Sequence, residues 1–434
     1  MIRRGWLLTV AANVTLLITG ATTGVLSARL LGPEQRGLLA AVTFWPTLAA
    51  SFAVWSLPKA LVARLSRSAV GPARLTASAG LVGLTIACLT FGLTAAGLPF
   101  LVGRARDEWL PLALAFSVLW IPVWVANSIL VGSDQAQKRF GRVNLLRLGP
   151  SLFYLLAIAV CWLAQAMTVT AFVWAMAAAS LLALGLRLAL AGKELLARPD
   201  RTEMYALFAL GGRFHVATML AVLSSQMDRL VLVVASGDAE LGHYVVAWTF
   251  AASGLAAVTS AVSFVLMPVL ASERERARAL SLLALWLRRT ALFLYVAVGV
   301  SLMVTPWILP LLFGRAFADA VPIALILLLA MIPLALRQTI IHCLSAFGEA
   351  RVPAVSEVAT ILVFAVAAGP LLVIGGPIGV AVATLLAQIA GLFVCVRHLA
   401  GRHDIVPGTW LLPGREGLAD ALAIGRGLLT RVAG

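Results

Sequence analysis

Runs of twenty or more apolar residues recur along the whole chain, separated by short polar or Gly/Pro-containing breaks. A helix needs about 20 apolar residues to cross a hydrocarbon core of about 30 Å. No other open structure satisfies its backbone polar groups there. The runs cover roughly 6–30, 38–63, 75–98, 109–132, 145–164, 168–190, 206–236, 242–271, 287–313, 320–346, 354–374 and 378–399. With 62% hydrophobic and only 12% charged residues among 434, the chain lies outside the range of soluble globular domains. It reads as an all-α, polytopic membrane protein of about twelve transmembrane helices.

The charges agree with that reading. A net charge of +15 invites a nucleic-acid partner, but the cations form short clusters between apolar runs and build no continuous basic face. Arg64, Arg67, Arg74, Lys138, Arg139, Arg142, Arg147, Arg187, Lys193, Arg198 and Arg201 share one side of the predicted topology with Arg3, Arg4, the 274–289 cluster, Arg351 and the tail arginines. Arg29, Arg36, Arg104, Arg106 and Arg315 fall on the other. The positive-inside rule then places both termini in the cytoplasm and the protein in the inner (cytoplasmic) membrane. "MIRRGWLLTV" reads as the start of an uncleaved first span. Cys88, Cys161, Cys343 and Cys395 each stand alone in apolar runs, with no CxxC and no clustered His, so they read as buried packing residues and no metal site or cofactor is indicated.

The longest interruption, about 188–205, contains the helix-ending Pro199 and divides the chain into two sets of six spans. At an offset of 211 residues, 111–129 lies over 322–340, pairing Pro111 with Pro322, Pro122 with Pro333, and Asn127-Ser128 with Gln338-Thr339. Six is even, so such repeats keep one membrane orientation and predict two six-helix lobes, 1–200 and 201–400, with a cleft between them as the default binding site. The tail, 401–434, spaces Leu418, Leu422, Leu429 and Val432 near helical periodicity, with Arg426 and Arg431 nearby. An amphipathic helix on the inner leaflet and a loosely ordered tail both fit it.

"SARLLGPEQRGLLAAVTFWP" (27–46) resembles the first loop of polysaccharide-exporting flippases of the O-antigen and teichoic acid type, in the MATE-related MOP exporter superfamily. "QMDRLVLVVASGDAELGHYVVAW" (226–248) resembles that family's seventh and eighth spans, where an Asp-Arg pair precedes a short acidic turn and a Gly-x-Tyr start. The resemblance covers about residues 1–400. It implies a MATE-like fold and translocation of an oligosaccharide on a polyprenyl pyrophosphate carrier by alternating access. Peptidoglycan-precursor flippases among these relatives usually carry extra spans after the twelfth, and none is seen here.

A lone Arg or Asp at a span's centre costs about 2.5–3.5 kcal/mol, so each deep charge is expected to find a partner or a watery cavity. Asp228 and Arg229 lie roughly 10–12 Å below the outer boundary at about 1.5 Å per residue. Adjacent helical residues do not face one another. Asp228 is therefore expected to bond a polar group of another span while Arg229 snorkels outward. The functional alternative makes Asp228 a proton- or cation-coupling site and Arg229 an outer contact for glycan or phosphate. Arg337 sits near the middle of its span, and its repeat counterpart is Ala126. A guanidinium there suits bidentate binding of a pyrophosphate; the competing reading is an internal ion pair with Glu357. Gln338 and His342, one turn apart, are candidates to line the same cavity. Lys59, Arg213 and His215 cluster by depth near the cytoplasmic mouth, either snorkelling to headgroups or forming a ring that captures the pyrophosphate. Trp120, Trp124 and Asn127 share a face at i, i+4 and i+7, as a glycan platform or as packing. Pro46, Pro58, Pro122, Pro268 and Pro333 interrupt spans as hinges or static bends.

An enzyme would need acidic or histidine residues gathered on a sizeable loop, yet the 99–108 loop holds only Asp107 and Glu108. No GxxxxGK[ST] sequence is present, which removes an intrinsic ATPase. The expected partners are the lipid-linked glycan, membrane lipids and a polysaccharide polymerase or glycosyltransferases, with no nucleic acid. Two rival functions stand beside the flippase: a gradient-coupled small-molecule or cation exporter on the same scaffold, and a non-transporting scaffold of a polysaccharide assembly complex.

Overall fold

The computed structural model describes residues 2–65, 70–102, 108–191, 197–261, 276–346, 349, 351–403, 405 and 407–411. The tail from 412 onward, Pro268, Arg67, Arg104, Arg106, Asp107, Lys193 and Arg274 lie outside the described residues. The helices are α1 (Ile2–Ala53), α2 (Leu57–Leu65), α3 (Pro72–Val102), α4 (Leu110–Ala136), α5 (Phe140–Leu163), α6 (Val169–Ala191), α7 (Arg201–Ala235), α8 (Asp238–Ala261), α9 (Arg276–Phe313), α10 (Ala320–Ala346) and α11 (Arg351–His403). No strand occurs among the described residues. Nine helical stretches among them are long and apolar enough to cross a membrane. Large apolar side chains such as Leu93, Phe100, Val373 and Ile374 point outward, which water would penalise and lipid does not. The chain is a multi-pass membrane protein.

Two stretches are far too long for one crossing. Ala11–Leu65 has 55 residues and Arg351–His403 has 53, about 80 Å each at 1.5 Å per residue. Each is broken at a glycine followed by proline: Gly32 (φ 74°, ψ 176°) before Pro33, and Gly376 (φ 55°, ψ −137°) before Pro377. Glycine takes the positive φ without steric cost, and proline is preset to start the next helix. In α11 the break makes a hairpin, because the Ser356 hydroxyl donates to the Gly391 carbonyl across the two arms at 2.8 Å. Both breaks fall where the sequence separates spans.

A third break was not foreseen at its position. Pro58 marks it in the sequence, but the chain departs from helix at Trp55 (φ 48°) and Ser56 (φ 50°), and Pro58 sits in the first turn of α2. Each left-handed non-glycine residue costs about 1–2 kcal/mol. The Trp55 ring stacks on Phe208 at 5.0 Å and lies 4.5 Å from the His215 ring; its Nε1 donates to the Phe208 carbonyl, and the Ser56 hydroxyl donates to Thr218 Oγ1. Contacts with α7 thus offset the strain.

The chain divides into two compact units, Met1–Val245 and Val246–Gly434. In the first, α7 packs on α1, α2 and α3. At its N-terminal end Arg64 donates twice to the Glu203 carboxylate (2.8 and 3.1 Å), and Arg74 pairs with Asp200 at 3.3 Å. Asp200 also caps α7 by accepting from the amides of Thr202 and Glu203. At the other end two glycines cross reciprocally. A Cβ on Gly37 would overlap the Asp238 carbonyl, and one on Gly242 would overlap the Pro33 carbonyl. Gly32–Gly37 and Gly237–Gly242 both read Gly-x-x-x-x-Gly, so the same local design from each half of the chain meets its counterpart.

In the second unit, Leu283, Leu287 and Leu294 of α9 pack with Leu336, Ile340 and Cys343 of α10 and Cys395 and Leu399 of α11, closed below by Ile405 and Trp410. Cys343 and Cys395 are buried as expected, whereas Cys88 is exposed and Cys161 partly so. On lipid-facing surface an apolar thiol has no need of burial.

The glycine crossing yields a prediction of sign. Alanine in place of an ordinary helical glycine stabilises by about 0.5–1 kcal/mol, and Gly299, with nothing within 4 Å, should follow that rule. Gly37→Ala and Gly242→Ala should instead destabilise by about 1–3 kcal/mol through overpacking. Thermal unfolding in detergent reads the difference, and a rise in melting temperature at all three positions would remove the crossing from the determinants of the fold.

Candidate functional site

The deep Asp228 of the first unit has partners close by. The Asp228 carboxylate, 4% exposed, accepts from the hydroxyl of the wholly buried Tyr244 on α8 at 2.8 Å and from the Arg229 amide at 2.8 Å. The bond to another span expected for Asp228 is this one. Arg229 Nη2 reaches back one turn to the Ser225 carbonyl at 3.4 Å. Helical side chains lean toward the N-terminus, and Arg229 follows that lean. The family-like stretch from Asp228 to Tyr244 is thus a hairpin fastening, with Gly242 forming the crossing and Tyr244 the bond.

At the α2–α7 junction the Lys59 ammonium donates to Thr218 Oγ1 at 2.9 Å, and His215 lies buried between Phe52 and Trp55. Arg213 is exposed, and two residues of helix turn it about 200° from His215. Lys59 and His215 therefore come together while Arg213 stands apart. On α4, Phe116, Trp120 and Trp124 form a ladder with centroids 4.9 and 5.4 Å apart. Trp120 is buried and Trp124 exposed; Asn127 is half-buried and donates to the Val123 carbonyl. Ala126, the repeat counterpart of Arg337, lines a small apolar cavity with Thr76, Gly80, Leu84 and Pro122.

In the second unit Arg337 Nη1 lies 2.9 Å from Glu357 Oε1, with side chains 4% and 13% exposed. Glu357 is on the first arm of α11. The second arm contributes Gly391, where a Cβ would overlap Thr360 Oγ1 and lie 2.8 Å from Arg337 Cδ. The arginine stem fits only because that position has no side chain. The pair neutralises its charge but leaves Arg337 Nε and Glu357 Oε2 without hydrogen bonds. Gln338 is half-buried and His342 exposed; helix geometry turns them about 100° and 140° from Arg337, so α10 does not present the three side by side.

One buried cluster was not singled out from the sequence. Arg187, 3% exposed, carries Nε and Nη1 without hydrogen-bond partners. Asp134, also 3% exposed, meets Arg142 Nε at 3.4 Å. Arg142 and Arg187 were counted with the loop charges that orient the chain. Arg187 lies within the 168–190 run, and that placement was the available signal.

The Tyr244 bond generates a test. Tyr244→Phe removes one hydrogen bond to a buried carboxylate, expected to cost about 1.5–3 kcal/mol, and Tyr244→Phe with Asp228→Leu should recover most of the loss. Thermal unfolding of the set in detergent measures it; an unchanged single variant would mean that Asp228 draws its stability from elsewhere.

The sequence matches the polysaccharide biosynthesis protein family over residues 26–322. No curated protein matches it. The fold is similar to that of the lipid II flippase MurJ in an inward closed conformation (TM-score 0.79, 15% identity, covering 93% of this chain and 90% of that one). It is also similar to an inward-facing multidrug resistance MATE family transporter of the MOP superfamily (TM-score 0.73, 14% identity, 92% and 98% covered). A MOP superfamily transporter from Pyrococcus furiosus matches with a TM-score of 0.62 and 14% identity over 91% of this chain and 95% of that one. With the family match spanning more than half of its length, the chain belongs to the polysaccharide biosynthesis protein family and carries a MurJ/MATE-like fold.

Proposed function

We propose that the protein is a flippase that moves a polyprenyl-pyrophosphate-linked oligosaccharide from the inner to the outer leaflet of the cytoplasmic membrane, both termini facing the cytoplasm. The observation that carries this reading is the buried Arg337, whose guanidinium keeps an unpaired Nε donor beside its single carboxylate partner. A pyrophosphate offers more acceptor oxygens than Glu357 and satisfies a guanidinium in the bidentate manner that one oxygen of Glu357 does not. In the transport cycle the carrier's headgroup replaces Glu357 on Arg337 and hands the arginine back on release. Gln338, His342, Trp124 and Asn127 are the further candidates to meet substrate, and Lys59 to meet it first.

A cation exporter on the same scaffold would need a deep carboxylate free to take its substrate. Asp228 is held by Tyr244, and Glu357 lies against Arg337, which favours an anionic cargo. The two ion pairs at the N-terminal end of α7 suit the moving part of such a cycle. Arg64–Glu203 and Arg74–Asp200 are polar contacts that water can replace, whereas the glycine crossing at the other end is dry packing. We assign the polar set to the side that opens toward the cytoplasm. Polymerase or glycosyltransferase partners belong to this same reading.

The deciding experiment is transbilayer movement of a fluorescent polyprenyl-pyrophosphate oligosaccharide in proteoliposomes at matched protein levels. Removing one member of a buried ion pair destabilises by about 3–5 kcal/mol, while replacing both by apolar residues is often neutral, so Arg337→Met is compared with Arg337→Met/Glu357→Leu. The single variant is expected to lose stability and transport. The double variant should recover its melting temperature and still move the lipid at least about tenfold more slowly, one missing charged contact being worth more than 1.4 kcal/mol. Full transport by the double variant would make the pair structural; no movement by wild type under any gradient would shift weight to the exporter or the scaffold. Arg64→Glu should likewise slow transport, and Arg64→Glu/Glu203→Arg should restore it; failure of that rescue would separate the pair from the cycle.

A further inference from the structure

Two of the chain's five histidines, His398 and His403, meet at the C-terminal end of α11, and the loop between α10 and α11 brings Glu349 between them. His398 Nε2 lies 2.7 Å from Glu349 Oε2, and His403 Nε2 lies 3.2 Å from Oε1 of the same carboxylate. The two rings stand nearly perpendicular, 5.5 Å apart at their centroids. One donor atom from each of the three residues falls within 4.8 Å of the other two. Two Nε2 atoms from separate rings converge on one carboxylate: with the ring proton on Nε2 each donates to it, and with the proton on Nδ1 both Nε2 lone pairs are available to a cation placed between the rings and the carboxylate.

Glu349 is held in place independently of this contact. The Glu349 amide donates to the Leu344 carbonyl at 2.9 Å, closing the end of α10, and the Ile405 amide donates to the Leu399 carbonyl past the end of α11. Beyond it the Tyr295 hydroxyl on α9 donates to the Leu411 carbonyl, and Trp410 is buried in the core. His403 is buried, while His398 and Glu349 are half-buried. Burial alone would push the Glu349 carboxyl up; hydrogen bonds to His398 and His403, and their charge, outweigh it and hold the carboxyl below its ordinary value. The neighbouring Arg351, Arg397 and Arg402 are exposed to solvent, where their repulsion is screened.

We propose that Glu349, His398 and His403 form a binding site for a divalent first-row transition metal ion, zinc foremost, which clips Glu349 to the C-terminal end of α11. Two imidazoles and one carboxylate suit zinc and its neighbours and not the hard cations magnesium and calcium, which take oxygen ligands. Zinc bonds of about 2.0–2.2 Å put tetrahedral ligands roughly 3.3–3.6 Å apart, so binding asks the 2.7 Å contact to open by less than about 1 Å. Three protein ligands leave a fourth position for water or a further ligand. The site stands apart from the proposed transport chemistry and holds whether or not the protein moves a lipid.

The test uses purified full-length protein without a histidine tag, stripped with chelator and then titrated with Zn(II), with Co(II) as a spectroscopic probe and Mg(II) as control. One equivalent of Zn(II) per chain is expected, with a melting temperature that rises with Zn(II) and not with Mg(II), and Co(II) absorption of tetrahedral or five-coordinate intensity. His398→Gln and Glu349→Gln should each weaken Zn(II) binding at least about tenfold and remove the thermal shift, with metal-free melting and monodispersity showing that both variants fold. His403→Gln, at the buried position, is the third variant and is interpreted only alongside the other two. Absence of saturable Zn(II) binding in wild type, or equal binding and equal thermal shift in His398→Gln and Glu349→Gln, would overturn the proposal and leave the cluster a hydrogen-bonded fastening.

Discussion

Hydrocarbon gives two apolar helices no reason to associate, because lipid tails are as apolar as the side chains they would replace. Helices in such a solvent are held by close approach at small residues and by polar groups that have no other partner. Both devices occur here at defined places. Gly37 and Gly242 let α1 and α8 cross at backbone distance, Gly391 makes room for the stem of Arg337, and Gly211 accepts the carbonyl of Trp55. Tyr244 with Asp228, Lys59 with Thr218, and Arg64 with Glu203 supply the polar fastenings. Leucine and valine fill the spans, but they make the helices insoluble in water and do little to choose their neighbours.

The two halves of the chain use that economy differently. The repeat places Ala126 where the second half has Arg337, and the first position lines an apolar cavity while the second carries an ion pair. The aligned position in the first half carries no charge. Retention of the arginine beside a carboxylate costs desolvation that an apolar pair would avoid, and a functional role for the guanidinium is the reason we assign to it. The same reasoning separates Asp228, whose oxygens are occupied by Tyr244 and a backbone amide and which closes a hairpin.

Much of the architecture was legible in advance. Span positions follow from apolar runs, and the breaks at Gly32-Pro33 and Gly376-Pro377 follow from dihedral preferences that hold in any context. The need of Asp228 for a partner on another span followed from the cost of a buried charge. Other features were hidden. The break at Trp55 contradicts local preference and exists because Phe208, Gly211 and His215 on a distant helix form its seat. Arg187 lies three residues inside the 168–190 run, near enough to its end to be grouped with the loop charges, and its burial depends on the helices packed around it. Glu349 lies 49 residues from His398 and 54 from His403, a spacing that no ligand pattern marks.

The sequence by itself determined that this chain crosses a membrane repeatedly, where it turns, and which charges would need partners, because these follow from the solvent's polarity and from single-residue dihedral energies. It named Glu357 as a partner for Arg337 but did not choose between that pair and a ligand. Tertiary structure decided which helix face meets which, and so which atoms of Arg337, Asp228, Glu349, His398 and His403 are occupied. That choice depends on distances between residues far apart in the chain, set by packing at a few glycines, and a one-dimensional reading of apolar and polar positions does not contain them.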